Sequence, residues 1–472
     1  MATGHDAISM RFKASLVSIL LSACGACAGP VPVQRETQSG SQETERRTAP
    51  AIVMAIDPRG DLFYNVTAAC DLDADGVSDF VVLTDAGSPR STVTAYSVPR
   101  GEVLWSARAV DSANSRVKWE TVCALGDVTS DGASEIVVAA HEYEGTSWIA
   151  YGEWIECRDG RTGAQIWRRR PEDVTIGLPL LELGGTYGGS YDRPSLSAVG
   201  DVDGDGATDF AMVGLNRNAA HSVAGAWGIY SGSTGRRLHG EEGPRPEELL
   251  DRLESCQDLD GDGVRDLFTS SEEYDQLRSG KDGHVLRKLK LDGWARDVGE
   301  APDLDGDGVP EIAVKSTRTN MLKEERMRWS FVSSRTGKVA RRTRWGASGG
   351  YQDLQLVRDS LTGQSLMWTL TSSGIQGRTL DSERALASLE LGQILQGELV
   401  GTGDVDGDGQ ADLLVVLSLA SSPLFDEGHA LGPVLMGADL ERRLAEIGGA
   451  GIKFGGQGVL LAIGLPSGLG DR

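Results

Sequence analysis

The residues with the most evident chemistry in this chain are acids set at alternate positions in short, glycine-containing loops. The pattern reads DLDADGVSD over Asp71, Asp73, Asp75 and Asp79, and DVTSDGASE over Asp127, Thr129, Asp131 and Glu135. It recurs as DVDGDGATD over Asp201, Asp203, Asp205 and Asp209, and as DLDGDGVRD over Asp258, Asp260, Asp262 and Asp266. Two further copies are DLDGDGVPE, with Asp303, Asp305, Asp307 and Glu311, and DVDGDGQAD, with Asp404, Asp406, Asp408 and Asp412. Acids stand at loop positions 1, 3, 5 and 9 with glycine at 6, and only Thr129 departs from the set. Alternate carboxylates on a tight loop aim hard oxygens at one point, and glycine at position 6 permits the reversal that brings position 9 round. That is a calcium chemistry, since Ca²⁺ takes about 6 to 8 oxygen ligands and the side chains, a position-7 carbonyl and water can supply them. About five or six structural Ca²⁺ ions per chain are expected, with the Thr129 loop the weakest binder. Without metal the crowded carboxylates repel one another, so ion binding is expected to be coupled to folding.

The elements around the loops decide between metal-binding architectures. An EF-hand needs a chelating glutamate at position 12 and flanking helices. Here position 12 is Val82, Val138, Met212, Thr269, Val314 or Val415, so the EF-hand is excluded. Each loop instead runs into a short apolar segment rich in β-branched residues, such as FVVL after Asp79, IVVA after Glu135 and LLVV after Asp412. These read as strands buried on both faces. The loops start 56, 74, 57, 45 and 101 residues apart. The long last interval is resolved by a repeat without acids, in which Asp359 takes the first loop position and divides 101 into 56 and 45. Downstream of the buried strands lie glycine turns, as in CRDGRTGAQIW (157–167), IYSGSTGRRL (229–238), LRSGKDGHVLRKL (277–289) and FVSSRTGKVARR (331–342). The repeating unit is strand, acidic loop, buried strand, variable loop, strand, glycine turn, strand, the size of a propeller blade.

With these loops and flanks, the chain resembles the FG-GAP or VCBS-type repeats of integrin α chains and of bacterial surface proteins, over roughly residues 62 to 446. The resemblance implies an all-β fold, a seven-bladed β-propeller of four-stranded antiparallel blades, six with calcium loops and one degenerate. Few Phe-Gly or Gly-Ala-Pro tripeptides flank the loops, so orthology to integrins is not implied.

Composition and charge narrow the setting. The 472 residues include 62 glycines and carry a formal charge of −23, which disfavours nucleic acid and anionic membrane surfaces as partners. Six bound Ca²⁺ ions would leave −11. Near the N-terminus a basic stretch, Met10 to Lys13, precedes an apolar run from Ala14 to Ala23, too short to span a bilayer but suited to a signal peptide. Leu21-Ser22-Ala23-Cys24 resembles a bacterial lipobox, so residues 1–23 are expected to be removed, with Met10 as an alternative start, and Cys24 lipidated. Residues 24–50 read as a flexible tether and 51–472 as the propeller, placing the protein outside the cytoplasm, anchored to the envelope by its lipid. Cys70, Cys123, Cys157 and Cys256 fit no zinc or CxxC spacing, and Cys70, Cys123 and Cys256, each just before an acidic loop, are expected to be buried thiols rather than disulfides.

In an antiparallel blade the connections alternate between two ends, so the acidic loops and glycine turns share one face. On the other face, long connections are expected at 141–150, 170–193, 315–328 and 418–432, making it a candidate surface for a protein or carbohydrate partner. Its candidate contact residues are Tyr143, Trp148, Tyr187, Tyr191 and Arg193. The histidines, at 5, 141, 221, 239, 284 and 429, form no HExxH motif, and no catalytic residue is assigned. A binding or adhesion module is the leading expectation; a calcium-dependent polysaccharide lyase and an envelope scaffold are the alternatives. A terminal strand, Val459 to Ile463, is expected to close the ring against Ala51 to Ile56.

Overall fold

The computed structural model describes residues 50–56, 65–68, 71–84, 91–109, 115–144, 150–170, 195–217, 223–242, 250–271, 274–319, 325–343, 353–359, 361–380, 385–391, 394–419, 434–436 and 458–465. Its strands, numbered along the chain, begin with β1 (Ala51–Ile56). Blade 1 is β2 (Asn65–Ala68), β3 (Phe80–Thr84), β4 (Thr92–Ser97) and β5 (Glu102–Arg108). Blade 2 is β6 (Ser115–Ala124), β7 (Ile136–Glu144), β8 (Ala150–Arg158) and β9 (Gln165–Arg169). Blade 3 is β10 (Ser195–Gly200), β11 (Asp209–Arg217), β12 (Val223–Tyr230) and β13 (Arg237–Glu242). Blade 4 is β14 (Leu250–Ser255), β15 (Leu267–Ser271), β16 (Asp275–Arg278) and β17 (Val285–Leu289). Blade 5 is β18 (Trp294–Glu300), β19 (Ile312–Thr319), β20 (Glu325–Val332) and β21 (Val339–Arg342). Blade 6 is β22 (Asp353–Arg358), β23 (Ser365–Leu370), β24 (Gly374–Thr379) and β25 (Ala385–Glu390). Blade 7 starts with β26 (Ile394–Gly403) and β27 (Asp412–Leu419), and the chain ends with β28 (Val434–Met436) and β29 (Gly458–Gly464).

Blades 1 to 6 are four-stranded antiparallel meanders. Blade 7 is a composite, in the order β26-β27-β29-β1-β28, which confirms the expected closure: Ala51 pairs with Gly464, Ala55 with Leu461 and Ile56 with Leu460. The C-terminal strand, not the one next in sequence, thus fills the third place, and β28 is displaced to the outer edge. The first strand of each blade lies beside those of its neighbours, and β26 against β2 completes the ring. The fold is an all-β propeller of seven blades.

The apolar side chains explain why no blade stands alone. They divide into seven clusters, one at each junction between blades. Alternation along β3 shows the rule, with Phe80 and Val82 facing blade 7 and Val81 and Leu83 facing blade 2. A second strand apolar on both faces is buried only when both neighbours are present.

Outer strands are latched to the next blade by tryptophan. Trp105 Nε1 donates to the Gly160 carbonyl at 2.5 Å, and Trp167 Nε1 to the Gly232 carbonyl at 2.8 Å, each crossing a junction into the following glycine turn.

Two of the expected long connections are mostly strand. The β7–β8 ladder extends to Tyr143 opposite Ala150, and the β19–β20 ladder to Thr319 opposite Glu325. Polar residues interrupt the apolar run in both strands, a pattern easily taken for loop. The 170–193 and 418–432 connections lie almost wholly outside the described residues.

Candidate metal centres

Each acidic loop is shaped by its own backbone before any ion is considered. The position-1 carboxylate spans the turn: Asp71 Oδ1 accepts from Asp75 N–H at 2.9 Å and Oδ2 from Gly76 N–H at 2.6 Å. The same pair of bonds holds Asp127, Asp201, Asp258, Asp303 and Asp404. Position 5 accepts from the N–H of position 7, as Asp75 does from Val77, Asp131 from Ala133 and Asp408 from Gln410. Glycine at position 6 is left-handed as expected, with φ of 90° at Gly206 and Gly263. Position 4 is left-handed too: Gly204, Gly261, Gly306 and Gly407 take φ of 78–81°, and in the first two loops Ala74 and Ser130 are forced to 62°. Four glycines in six copies of that position were the available sequence signal.

The position-9 carboxylate does more than the spacing suggested. One oxygen accepts from the N–H of position 2, as in Leu72 to Asp79, Val128 to Glu135, Val202 to Asp209 and Val405 to Asp412, at 2.7–3.0 Å. The other reaches the strand 3–strand 4 turn of the same blade: Gly232 N–H donates to Asp209 Oδ1 at 2.9 Å and Gly280 N–H to Asp266 Oδ1 at 3.1 Å. In blade 7 the donor is Leu465 N–H, just past β29, to Asp412 Oδ1 at 2.8 Å. Loops and turns therefore share one face. A Cβ on Gly160, Gly232 or Gly280 would lie 1.8–1.9 Å from the position-8 carbonyl of the loop. In blade 5 the equivalent residue is Ser334, and its hydroxyl donates to the Pro310 carbonyl, again position 8.

The donor set fits a hard cation. Ligand oxygens of Asp71, Asp73 and Asp79 lie within 4.8 Å of one another, as do those of Asp127, Asp131 and Glu135, of Asp201, Asp203 and Asp209, of Asp258, Asp260 and Asp262, and of Asp303, Asp305 and Glu311. One more such group occurs among the described residues. In the first loop both Asp73 oxygens and Asp79 Oδ1 are buried without a hydrogen bond, although the Arg100 guanidinium stands 3.3 Å from Asp73 Oδ2. Burial pushes the Asp79, Glu135 and Asp266 carboxyls up to about 7 and Asp209 to about 6, against the N–H bonds that favour their anions. Burial raises Asp71 and Glu311 likewise. Anions so placed are costly unless a cation accompanies them. In the second loop Thr129 donates its hydroxyl to Glu135 Oε1 at 3.1 Å, so it satisfies an oxygen that an acid at position 3 would leave for metal.

Blade 6 shows what replaces a metal loop. Asp359 N–H donates to the Gln364 carbonyl, Gly363 N–H to the Asp359 carbonyl, and Asp359 Oδ1 caps Leu361 and Thr362 N–H. These bonds repeat the Asp159–Ala164 glycine turn, where Gly163 and Gly363 share φ of 69°. The first hairpin of this blade is thus closed by backbone bonds and the Asp359 carboxylate.

Cys123, Cys157 and Cys256 are free, buried thiols. Burial pushes Cys123 up to about 12 and raises Cys157 and Cys256 likewise, so these are packing residues. Of the partner-face candidates, Tyr143 lies in β7 opposite Arg116. Trp148, Tyr187, Tyr191 and Arg193, together with Cys24 and Cys70, lie outside the described residues.

Fold and loops together define a seven-bladed β-propeller with acidic loops in six blades. No protein-family model matches the chain, and the search of curated proteins finds no relative. Among solved structures it is similar to rhamnogalacturonan lyase YesW (TM-score 0.49, 14% identity, covering 79% of this chain and 72% of that one). It is also similar to BBS1N in complex with ARL6DN (0.48, 10%, 89% and 97%) and to the V. cholerae biofilm matrix protein Bap1 (0.36, 14%, 88% and 68%). At such identities none of these carries a function across.

Proposed function

We propose that the protein is a calcium-stabilised propeller of the FG-GAP kind, held at the cell surface through a lipid on Cys24, that binds a protein or carbohydrate partner. The observation that supports the calcium reading best is the trio of buried oxygens on Asp73 and Asp79 that accept no hydrogen bond, only one of which has a cation, Arg100, beside it. Unpaired buried acceptors are expensive, and a divalent ion would satisfy them together with the neighbouring Asp71. Bound calcium would supply the positive charge that the position-9 carboxylates lack.

Thermal unfolding of residues 50–472 tests this, first in excess EDTA and then in millimolar calcium, with bound ions counted by mass spectrometry. A rise of about 10 °C or more with five or six ions is the expected result. An unchanged midpoint, or a single ion, would refute it. The binding role is tested by replacing residues 178–190 with a short linker. Calcium uptake should persist while partner capture by the immobilised protein falls, and undiminished capture would move the surface elsewhere. Anchoring is read from Cys24→Ser, which should shift the protein from the detergent phase to the aqueous phase.

A further inference from the structure

At the end of blade 2 opposite the acidic loops, four side chains form a cationic cluster. Trp154 on β8 donates from Nε1 to Glu142 Oε2 on β7 at 2.6 Å, and the Arg170 guanidinium lies 3.5 Å from the same oxygen. The guanidinium carbons of Arg168 and Arg170 stand 4.1 and 4.4 Å from the centroid of the Trp154 ring. The Glu142 carboxylate thus serves Arg170 and the indole N–H. Arg168 sits opposite Glu156 in the β8–β9 ladder, and its side-chain Nε is buried without an acceptor among the described residues.

A guanidinium held over an indole is a fork of N–H donors with its orientation already set, and the planar group such a fork matches is a carboxylate. Within the cluster Glu142 already sets one carboxylate oxygen 3.5 Å from the Arg170 guanidinium. The surroundings favour a sugar as the bearer. Trp154, like Leu104 and Ala107 of blade 1, packs against the core shared by blades 1 and 2, so an aromatic and aliphatic wall meets the cations at the junction of two blades. The C–H face of a pyranose suits such a wall. In a chain of charge −23, a cluster with two guanidinium groups is also where an acidic polymer meets less repulsion, since Glu156, opposite Arg168 in the ladder, is already paired with Arg158.

We propose that Arg168, backed by Trp154 and flanked by Arg170, binds the carboxylate of an acidic sugar in a polysaccharide. This rests on the binding-module reading and names its ligand class. The test is calorimetric titration of the calcium-loaded protein with oligoglucuronate, with its carboxyl-reduced counterpart and with hexaglutamate. Oligoglucuronate should bind and the reduced oligomer should not. Arg168→Gln should weaken binding at least tenfold, Arg168→Lys less, and Trp154→Phe by an intermediate factor, with thermal midpoints held near that of the parent. Undiminished binding by both Arg168→Gln and Trp154→Phe would overturn this site while leaving the module reading intact. Absence of oligoglucuronate binding, or tighter binding of hexaglutamate, would overturn the sugar assignment, whereas failure of the linker replacement to affect capture bears on the module reading alone.

Discussion

Position 4 of the acidic loops is where one residue's conformation can be tested in isolation. Ala74 and Ser130 hold left-handed backbone that glycine holds in the other four loops. Strain at such a residue costs roughly 1–3 kcal/mol, and the extra freedom of glycine in the unfolded chain returns about 0.5–1 kcal/mol of that. Ala74→Gly should therefore stabilise the protein by about 0.5–1 kcal/mol, read as a higher urea midpoint with unchanged slope. A second residue predicts a pH dependence unrelated to metal. Burial lifts the Asp275 carboxyl from 3.8 to about 6, opposed by the bond from Ser270 Oγ at 2.7 Å. Its folded value lies above its unfolded one, so the folded state holds the proton more tightly and stability falls as pH rises from about 4 to about 6. Asp275→Asn should flatten that decline and stabilise the protein by roughly 1–2 kcal/mol at pH 8, compared by urea unfolding at pH 5 and pH 8. The acids at positions 1, 3, 5 and 9 were legible because ligand spacing is a local property. The second bond of Asp209 and Asp266 was not, because its donors, Gly232 and Gly280, lie 23 and 14 residues away on another hairpin.

At the scale of the element, the recurring join is between an acidic loop and the glycine turn beside it. A Cβ on Gly280 would sit 1.8 Å from the Arg265 carbonyl, where backbone has no room to yield cheaply. Gly280→Ala should lower stability by about 1–3 kcal/mol and weaken calcium retention in blade 4, since it pushes away the N–H that steadies Asp266. Ser334→Ala, which removes only the bond to Pro310, should cost about 1 kcal/mol. Both are measured by thermal unfolding in calcium. The buried second strands were readable from FVVL, IVVA and LLVV, since burial on both faces leaves a continuous apolar run. The extent of β7 and β19 was not, because charged residues such as Lys315 and Arg318 continue the ladder where the apolar run stops, and Lys315 is buried there all the same. The seventh repeat was placed correctly at Asp359, yet its turn is a copy of the glycine hairpins, a likeness carried in the sequence by RDSLTG at 358–363 beside RDGRTG at 158–163.

The whole molecule is a ring of seven shared cores, and its stability depends on closing the ring. Truncation at Ala450 removes β29, which takes Leu461 and Ile463 from the core between blades 6 and 7 and Ala462 from that between blades 7 and 1. Burying those residues is worth several kcal/mol, comparable to the net stability of a domain, so the truncated protein should unfold without a cooperative transition. Retention of a sharp melt would contradict this account of closure. Pairing of the two chain ends was legible because both ends are apolar and β-branched in an otherwise complete set of repeats. The displacement of β28 was not, since its three residues give no sign of an outer position.

Closure also fixes how the molecule carries a load. The chain enters β1 at Ala51, on the acidic-loop face, and β1 lies between β29 and β28 with both neighbours antiparallel. Tension drawn through the preceding segment away from that face runs along the strand, so the hydrogen bonds on its two sides are sheared together instead of being unzipped singly. The seam that completes the propeller is thereby its mechanical fastening, strongest in the direction from which a tether would pull.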